Sequence, residues 1–344
     1  MATSQALHRG VGVTVAASLR GASVAPGPTS AARITASNLR VDAATAEVLR
    51  RFEVIGVESL LLKGVSVTRW LSTPSDPRHY GDCDLLVRPA DLTAAEQILD
   101  DLGFSPIFDQ HDMPSWWRAH ATTWVHMADG ATVDLHQTLV GVGVDPERLW
   151  LTLSRHAEEI VVAGYPAQTL TIPGRAFHLA LHAAQHGVEW DRSLGDLERG
   201  VSAADEETWR AAAELAASLQ ATAAFEAGLR LIPAGRVLAD RLELPGELST
   251  EVALRANSPP PLALGLDQLA QAEGLRSRLT VLRHKLVPPP SFMRQWSRRA
   301  RQGRLGLVLA YLWRPLWLLA RLPAGFGAWH RARRLAQRSG SNPQ

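Results

Sequence analysis

Apolar and polar positions change their period several times along this chain, and each change marks an element. Ser59-Leu60-Leu61-Leu62 is a short apolar run, read as a buried strand. Gly64 then makes a tight turn into a short helix over Val65-Ser66-Val67-Thr68-Arg69-Trp70-Leu71. Asp82-Cys83-Asp84-Leu85-Leu86-Val87 reads as a second strand. Successive side chains alternate faces there, so Asp82 and Asp84 point the same way, roughly 7 Å apart, while Cys83 and Leu85 point into a core. From Asp91 to Leu102 the period becomes helical: Leu92, Ala95, Ile98, Leu99 and Leu102 share one face, and Gly103 ends it. Trp124-Val125-His126-Met127 and Thr132-Val133-Asp134-Leu135-His136 flank Asp129-Gly130, a hairpin signal. Upstream, a helix is expected from Asp42 to Phe52 with Asp42 as N-cap. Residues 155 to about 285 read as mostly helical, and Ser72 to His79 as a loop.

At 344 residues and 37.4 kDa, with 46% hydrophobic residues, the chain is expected to hold two globular domains. The expected division is a mobile arm over 1–40, a mixed core over 41–150, a helical domain over 151–286 and a tail over 287–344. The first 35 or so residues are rich in Ala, Ser, Gly and Thr and lack a compact apolar block, so they are not read as a signal peptide. A single cysteine, Cys83, excludes an internal disulfide framework and fits a reducing, cytoplasmic compartment.

The carboxylates carry the candidate chemistry. Asp82, Asp84 and Asp134, brought together, would repel one another unless a cation sat among them. Hard oxygen ligands of this kind suit Mg²⁺, which takes one or two carboxylates plus substrate phosphates. Gly64 lets the backbone approach a ligand closely, and the free N–H groups after it form an anion site. Lys63 is one of only two lysines, with Lys285, against 34 arginines. Its retention beside the glycine turn suits either a site that arginine would not fit or simple chance.

The order strand–Lys63-Gly64-x-Ser66, then Arg78-x-x-x-Asp82-x-Asp84-Leu85-Leu86-Val87, then Val133-Asp134-Leu135-His136 resembles the uncharacterised bacterial nucleotidyltransferases of the DNA polymerase beta-like superfamily. The resemblance covers roughly residues 40 to 200 and departs from the wider superfamily where Val65 separates Gly64 from Ser66. It implies an α+β fold: a polymerase beta-like core of mixed sheet and helices, followed by a mostly helical domain and a basic amphipathic helical tail. It implies an NTP as substrate, two Mg²⁺ ions (or Mn²⁺) held by Asp82, Asp84 and Asp134, and phosphate contacts from Lys63, Gly64, Ser66 and Arg78. A nucleoside monophosphate would pass to an acceptor hydroxyl with release of pyrophosphate. The acceptor is left open among a small molecule, a peptide or protein side chain, and a nucleic-acid end. His136, two residues beyond Asp134, would orient the acceptor or a carboxylate, or serve as a structural hydrogen-bonding residue.

His178, His182 and His186 recur at four-residue steps on one helix face. They either bind a metal with Asp191 or Asp196, or line an interdomain groove or sit satisfied in the core. The resemblance also includes a helix with histidines followed by Leu-x-Asp-Leu, matched here at Asp196, so His182, His186 and Asp196 are acceptor-side candidates.

Charge is sharply divided. Residues 274–344 contain 14 Arg, one Lys and no acid, which leaves 21 basic and 34 acidic residues in the remainder. Within the tail Arg304, Arg314 and Arg321 fall in an arc of about 100°, and the remaining helix surface is broadly apolar. A transmembrane span is disfavoured by Arg314 and Pro315. The open readings are an interfacial helix on an anionic membrane surface through 291–338, packing on the protein's own acidic body, and nucleic-acid contact. The runner-up function is accordingly a non-catalytic nucleotide-binding or regulatory protein held at the inner face of a membrane.

Overall fold

The computed structural model describes residues 30–73, 77–107, 120–246 and 248–339. Seven strands form one mixed sheet: β1 (Ser59–Leu61), β2 (Asp82–Val87), β3 (Phe104–Pro106), β4 (Ala121–His126), β5 (Thr132–His136), β6 (Ala157–Val162) and β7 (Tyr165–Leu170), in the spatial order β3-β4-β5-β2-β1-β7-β6. β2 runs antiparallel to β1 and parallel to β5, whereas β1 runs parallel to β7.

Strand parity sorts the side chains into two cores. Leu61, Cys83, Leu85, Val87, Val133 and Leu135 face one layer, where α1 (Ser30–Ile55) contributes Phe52 and α3 (Leu92–Asp101) contributes Leu99. Leu60, Leu62 and Leu86 face the other, beneath α5 (Ile172–His186) and α7 (Glu206–Ser218), with Phe177, Leu179 and Trp209. Between them in sequence lie the short α2 (Val65–Leu71), α4 (Pro146–Ser154) and α6 (Asp191–Ala203). α8 (Thr222–Leu229) lies so close to α5 that a Cβ on Gly228 would fall 1.9 Å from the Ala180 carbonyl oxygen. Only glycine permits that backbone approach. The helical part continues through α9 (Pro233–Arg241), α10 (Thr250–Ala256), α11 (Ala263–Gln271), α12 (Gly274–Leu286) and α13 (Pro290–Trp296), and closes with α14 (Gly303–Ser339).

Three expectations are corrected. The arm expected over 1–40 is helical from Ser30 onward, as part of α1; residues 1–29 lie outside the described residues. Asp42 is therefore not an N-cap but a mid-helix residue whose carboxylate accepts a 2.6 Å hydrogen bond from the Tyr80 hydroxyl, tying α1 to the segment before β2. The sheet also runs past residue 150. β6 and β7 form a hairpin within the region expected to be helical, joined by Ala163 (φ 46°) and Gly164 (φ 82°). Two successive positive φ angles match the right-handed twist of the strands, but Ala-Gly lacks the Asn or Asp that usually announces such a turn. The Asp129-Gly130 hairpin, by contrast, forms as expected, with Asp129 accepting a 3.0 Å bond from the Ala131 N–H.

Candidate active site

Register places the acids. β2 and β5 pair so that Asp84 lies directly opposite Asp134 and Leu86 opposite His136. Neighbours in such a pair point to the same face, so Asp82, Asp84, Asp134 and His136 all look toward α5. Asp84 is 1% exposed, whereas Asp82, nearer the strand's open end, is half-buried. Asp84, Asp134 and His136 bring one donor atom each to within 4.8 Å of one another. Asp82 is not a member of that close group.

Lys63 closes the site from the end of β1. Its ammonium lies 2.8 Å from Asp84 Oδ1 and 3.2 Å from His182 Nε2. Lysine only donates, so His182 Nε2 accepts and the ring proton sits on Nδ1. His136 Nε2 lies 3.2 Å from the same Asp84 oxygen, and since a carboxylate accepts, Nε2 carries the proton there. Burial works against the Asp84 charge, but Lys63 and His136 outweigh it and hold the carboxyl below its usual range. Burial likewise opposes the Lys63 charge, yet Asp84, Asp82 and Asp134 together raise its pKa. The lysine thus supplies a cation among the crowded carboxylates.

Polar atoms are left over. Asp84 Oδ2, Asp134 Oδ1 and His136 Nδ1 are buried and have no hydrogen-bond partner. Orphaned acceptors in one small volume cost free energy unless a ligand or ion meets them. Two carboxylates with an imidazole beside them are a donor set that could hold a metal ion, so the residues fit a divalent cation.

The glycine turn also forms. Gly64 adopts φ 64°, ψ −126°, a region essentially restricted to glycine, and starts α2. A family model for uncharacterised nucleotidyltransferases matches residues 13–234. The chain belongs to this family. Two solved structures are similar to about half of the chain. One is the solution structure of the antibiotic-resistance factor ANT(2'')-Ia, at 13% identity and TM-score 0.38, covering 54% of this chain and 92% of that one. The other is the crystal structure of an antigenic nucleotidyltransferase-like protein from Paracoccidioides brasiliensis, at 12% identity and TM-score 0.33, covering 53% and 92%. No curated protein matches the chain.

Ser66 and Arg78 each meet another group of the protein. Ser66 is fully buried, with its hydroxyl 2.7 Å from that of Thr169 on β7. Val65, inserted after Gly64, rotates Ser66 by about 100° around α2 and away from the turn. Arg78 is 8% exposed and grips Asp196 of α6 with two bonds, Nε to Oδ1 at 2.8 Å and Nη2 to Oδ2 at 2.7 Å. That bidentate pair is complete without a phosphate. It fastens the segment before β2 to α6. Pro74, Ser75 and Asp76 of that segment lie outside the described residues.

The histidines line the roof. His178 and His182 are 6.1 Å apart between ring centroids, His182 and His186 4.4 Å, and His186 stacks on Trp190. Burial, then Lys63, pushes the His178 pKa down to about 3, and the same two causes lower His182 well below its ordinary value. Sequence reasoning missed His120, which lies 5.6 Å from the His136 ring and 3.0 Å from the Gln185 amide nitrogen. Nothing local marks it: it precedes β4 and reaches the site only through strand pairing. His120 also lines a cavity of about 360 Å³ together with Leu139, Val142, Leu181, Gln220 and Arg255.

Proposed function

We propose that this protein transfers a nucleoside monophosphate from an NTP to an acceptor hydroxyl and releases pyrophosphate. The observation that carries the reading is the direct pairing of Asp84 with Asp134 beside the Gly64 turn, with a buried, unpartnered oxygen on each.

Asp84 and Asp134, with His136 beside them, would hold a divalent Mg²⁺ or Mn²⁺ ion, and Asp82 at the open end of β2 would hold a second. Such ions would supply charge neutralisation for the triphosphate and for the departing pyrophosphate. The chain's own groups do the rest. The Gly64 turn offers backbone N–H groups to the phosphates. Lys63 keeps Asp84 ionised while the site is without nucleotide, and its ammonium is close enough to swing toward phosphate oxygens. Asp134 has a free oxygen to take the acceptor's proton. His136, anchored on Asp84, fixes the carboxylate it bonds. The acceptor oxygen attacks the α-phosphorus, the bond to the bridging oxygen breaks, and the electron pair leaves with pyrophosphate. The cavity that His120 lines would be the acceptor side, since the His120 ring lies 5.6 Å from that of His136.

The test is pyrophosphate release from each NTP against a panel of hydroxyl acceptors, with Asp134→Asn as the decisive variant because Asp134 forms no ion pair among the described residues. Loss of about a hundredfold or more in turnover with unchanged thermal unfolding is expected. Nucleotide binding with no pyrophosphate release from the unsubstituted protein, for every NTP and acceptor class, would instead favour the non-catalytic binding reading.

A further inference from the structure

The long last helix is built inside out. Its residues against the protein are Gly306, Ala310, Arg314, Gly325 and Ala332, all buried. Its large apolar residues look away: Leu305, Leu309, Leu312, Leu316 and Leu319 are between 48% and 73% exposed, with Val308 and Trp313 beside them. At about 100° per residue these fill one half of the helix cylinder, opposite the buried set. The expectation that the apolar face packs on the acidic body is therefore not met. α12 extends the same character with exposed Leu275, Leu279 and Leu282.

Arg314 is the one charge in the middle of the outward stretch by sequence, and the structure removes it from that face. It is 5% exposed, donates from Nε to the Lys285 carbonyl at 2.8 Å, and lies over the rings of Phe292 and Trp296 at 4.9 and 5.0 Å. What remains outward is uncharged between Leu305 and Ala320, flanked by Arg298, Arg299, Arg301 and Arg304 before it and by Arg321, Arg331, Arg333 and Arg334 after it.

We propose that this face of α14 docks on an anionic lipid bilayer, with α14 lying in the plane of the interface. Apolar side chains would enter the acyl boundary while the flanking arginines meet lipid phosphates. Trp313 and Trp317 suit the headgroup level. Charge decides against a second copy of the chain: an isologous contact would set one acid-free segment bearing 14 Arg and one Lys against another. It decides against nucleic acid too, because the outward surface is leucine and valine, and the arginines are confined to its ends. A span is disfavoured by packing. The helix is long and apolar enough to cross a membrane, but its small-residue face is taken by α10, α11 and α13.

The experiment is flotation of the full chain with vesicles of phosphatidylcholine alone and of phosphatidylcholine mixed with phosphatidylglycerol. A Leu312→Glu, Leu316→Glu, Leu319→Glu variant is compared, its folding checked by thermal unfolding; all three positions are exposed, so the fold is kept. The full chain is expected to float with anionic vesicles, about tenfold or more weaker with phosphatidylcholine alone or when salt rises from about 0.1 to about 0.5 M. The variant should lose at least about a hundredfold in partitioning. Two results overturn the proposal: equal flotation of the folded variant, or no flotation of the unsubstituted chain with anionic vesicles. In the second case, a light-scattering mass of a dimer that the variant reduces to a monomer assigns the face to a second copy. Retention of duplex or single-stranded DNA, unaffected by the leucine changes, assigns the arginines to nucleic acid.

Discussion

Replacing Lys63 by Met leaves Asp84 as a buried carboxylate without its cation. The two charges are 2.8 Å apart, and their side chains are 13% and 1% exposed. At an effective dielectric constant near 20 their attraction is about 6 kcal/mol, offset in large part by the desolvation of both groups. Breaking such a pair from one side costs about 3–5 kcal/mol, because the remaining charge keeps its desolvation penalty and loses its partner. Asp84→Asn breaks it from the other side at a similar cost. Removing both charges leaves no uncompensated ion, so the double variant should be less destabilised than the two singles summed, by about 2–4 kcal/mol. Urea unfolding followed by circular dichroism, at neutral pH with chelator present, measures all four corners of the cycle. Millimolar Mg²⁺ should then recover part of the Lys63→Met loss, since a bound divalent ion can neutralise Asp84 where the ammonium did. A coupling energy under about 0.5 kcal/mol would refute the reasoning: the ion pair would then not be what stabilises the site.

Two further outcomes follow from other parts of the structure. His120, His178 and His182 have folded pKa values below the unfolded value near 6.5, so the unfolded chain binds more protons than the folded one as pH falls below about 6.5. Stability is therefore complete above that pH and lost below it, by about 1.4 kcal/mol per pH unit for each histidine, with the His178 contribution running down to about pH 3. Urea midpoints that stay level between about pH 6.5 and about pH 5 would contradict it. At the β6–β7 turn, Ala163→Asn should stabilise by about 0.5–1 kcal/mol, because asparagine tolerates the φ of 46° that alanine holds there. A lower melting temperature would show that the turn is not the two-residue form described.

How much was legible in the chain depended on the range of the interaction. That Asp82 and Asp84 share a face, and that Cys83 and Leu85 face the core, follows from the two-residue period of a strand, which is local. The Gly64 turn, the helix ending at Gly103 and the Asp129-Gly130 hairpin were likewise written in neighbouring residues, because φ preferences and capping act within a few positions. The β6–β7 hairpin was not, since Ala163-Gly164 reaches its conformation through strand pairing and not through a turn-forming residue.

The sequence by itself determined the acidic strand, the basic tail and the family. Only the tertiary structure decided what each charged group meets. Asp84 opposite Asp134 is a matter of register between strands about fifty residues apart. Lys63 against Asp84 and His182, and Arg78 against Asp196 across 118 residues, are pairings that no local pattern encodes. On α14, helical periodicity showed an apolar surface with arginines, but not which half of the cylinder the protein would cover. Packing settled that: Gly306 meets Arg299 and Ala310 packs with Phe292 and Met293 of α13, whereas Gly325 lies against Leu262 and Ala263 and Ala332 packs with Ala253 and Leu254 of α10, so the small residues leave room for close approach and the leucines were left outward.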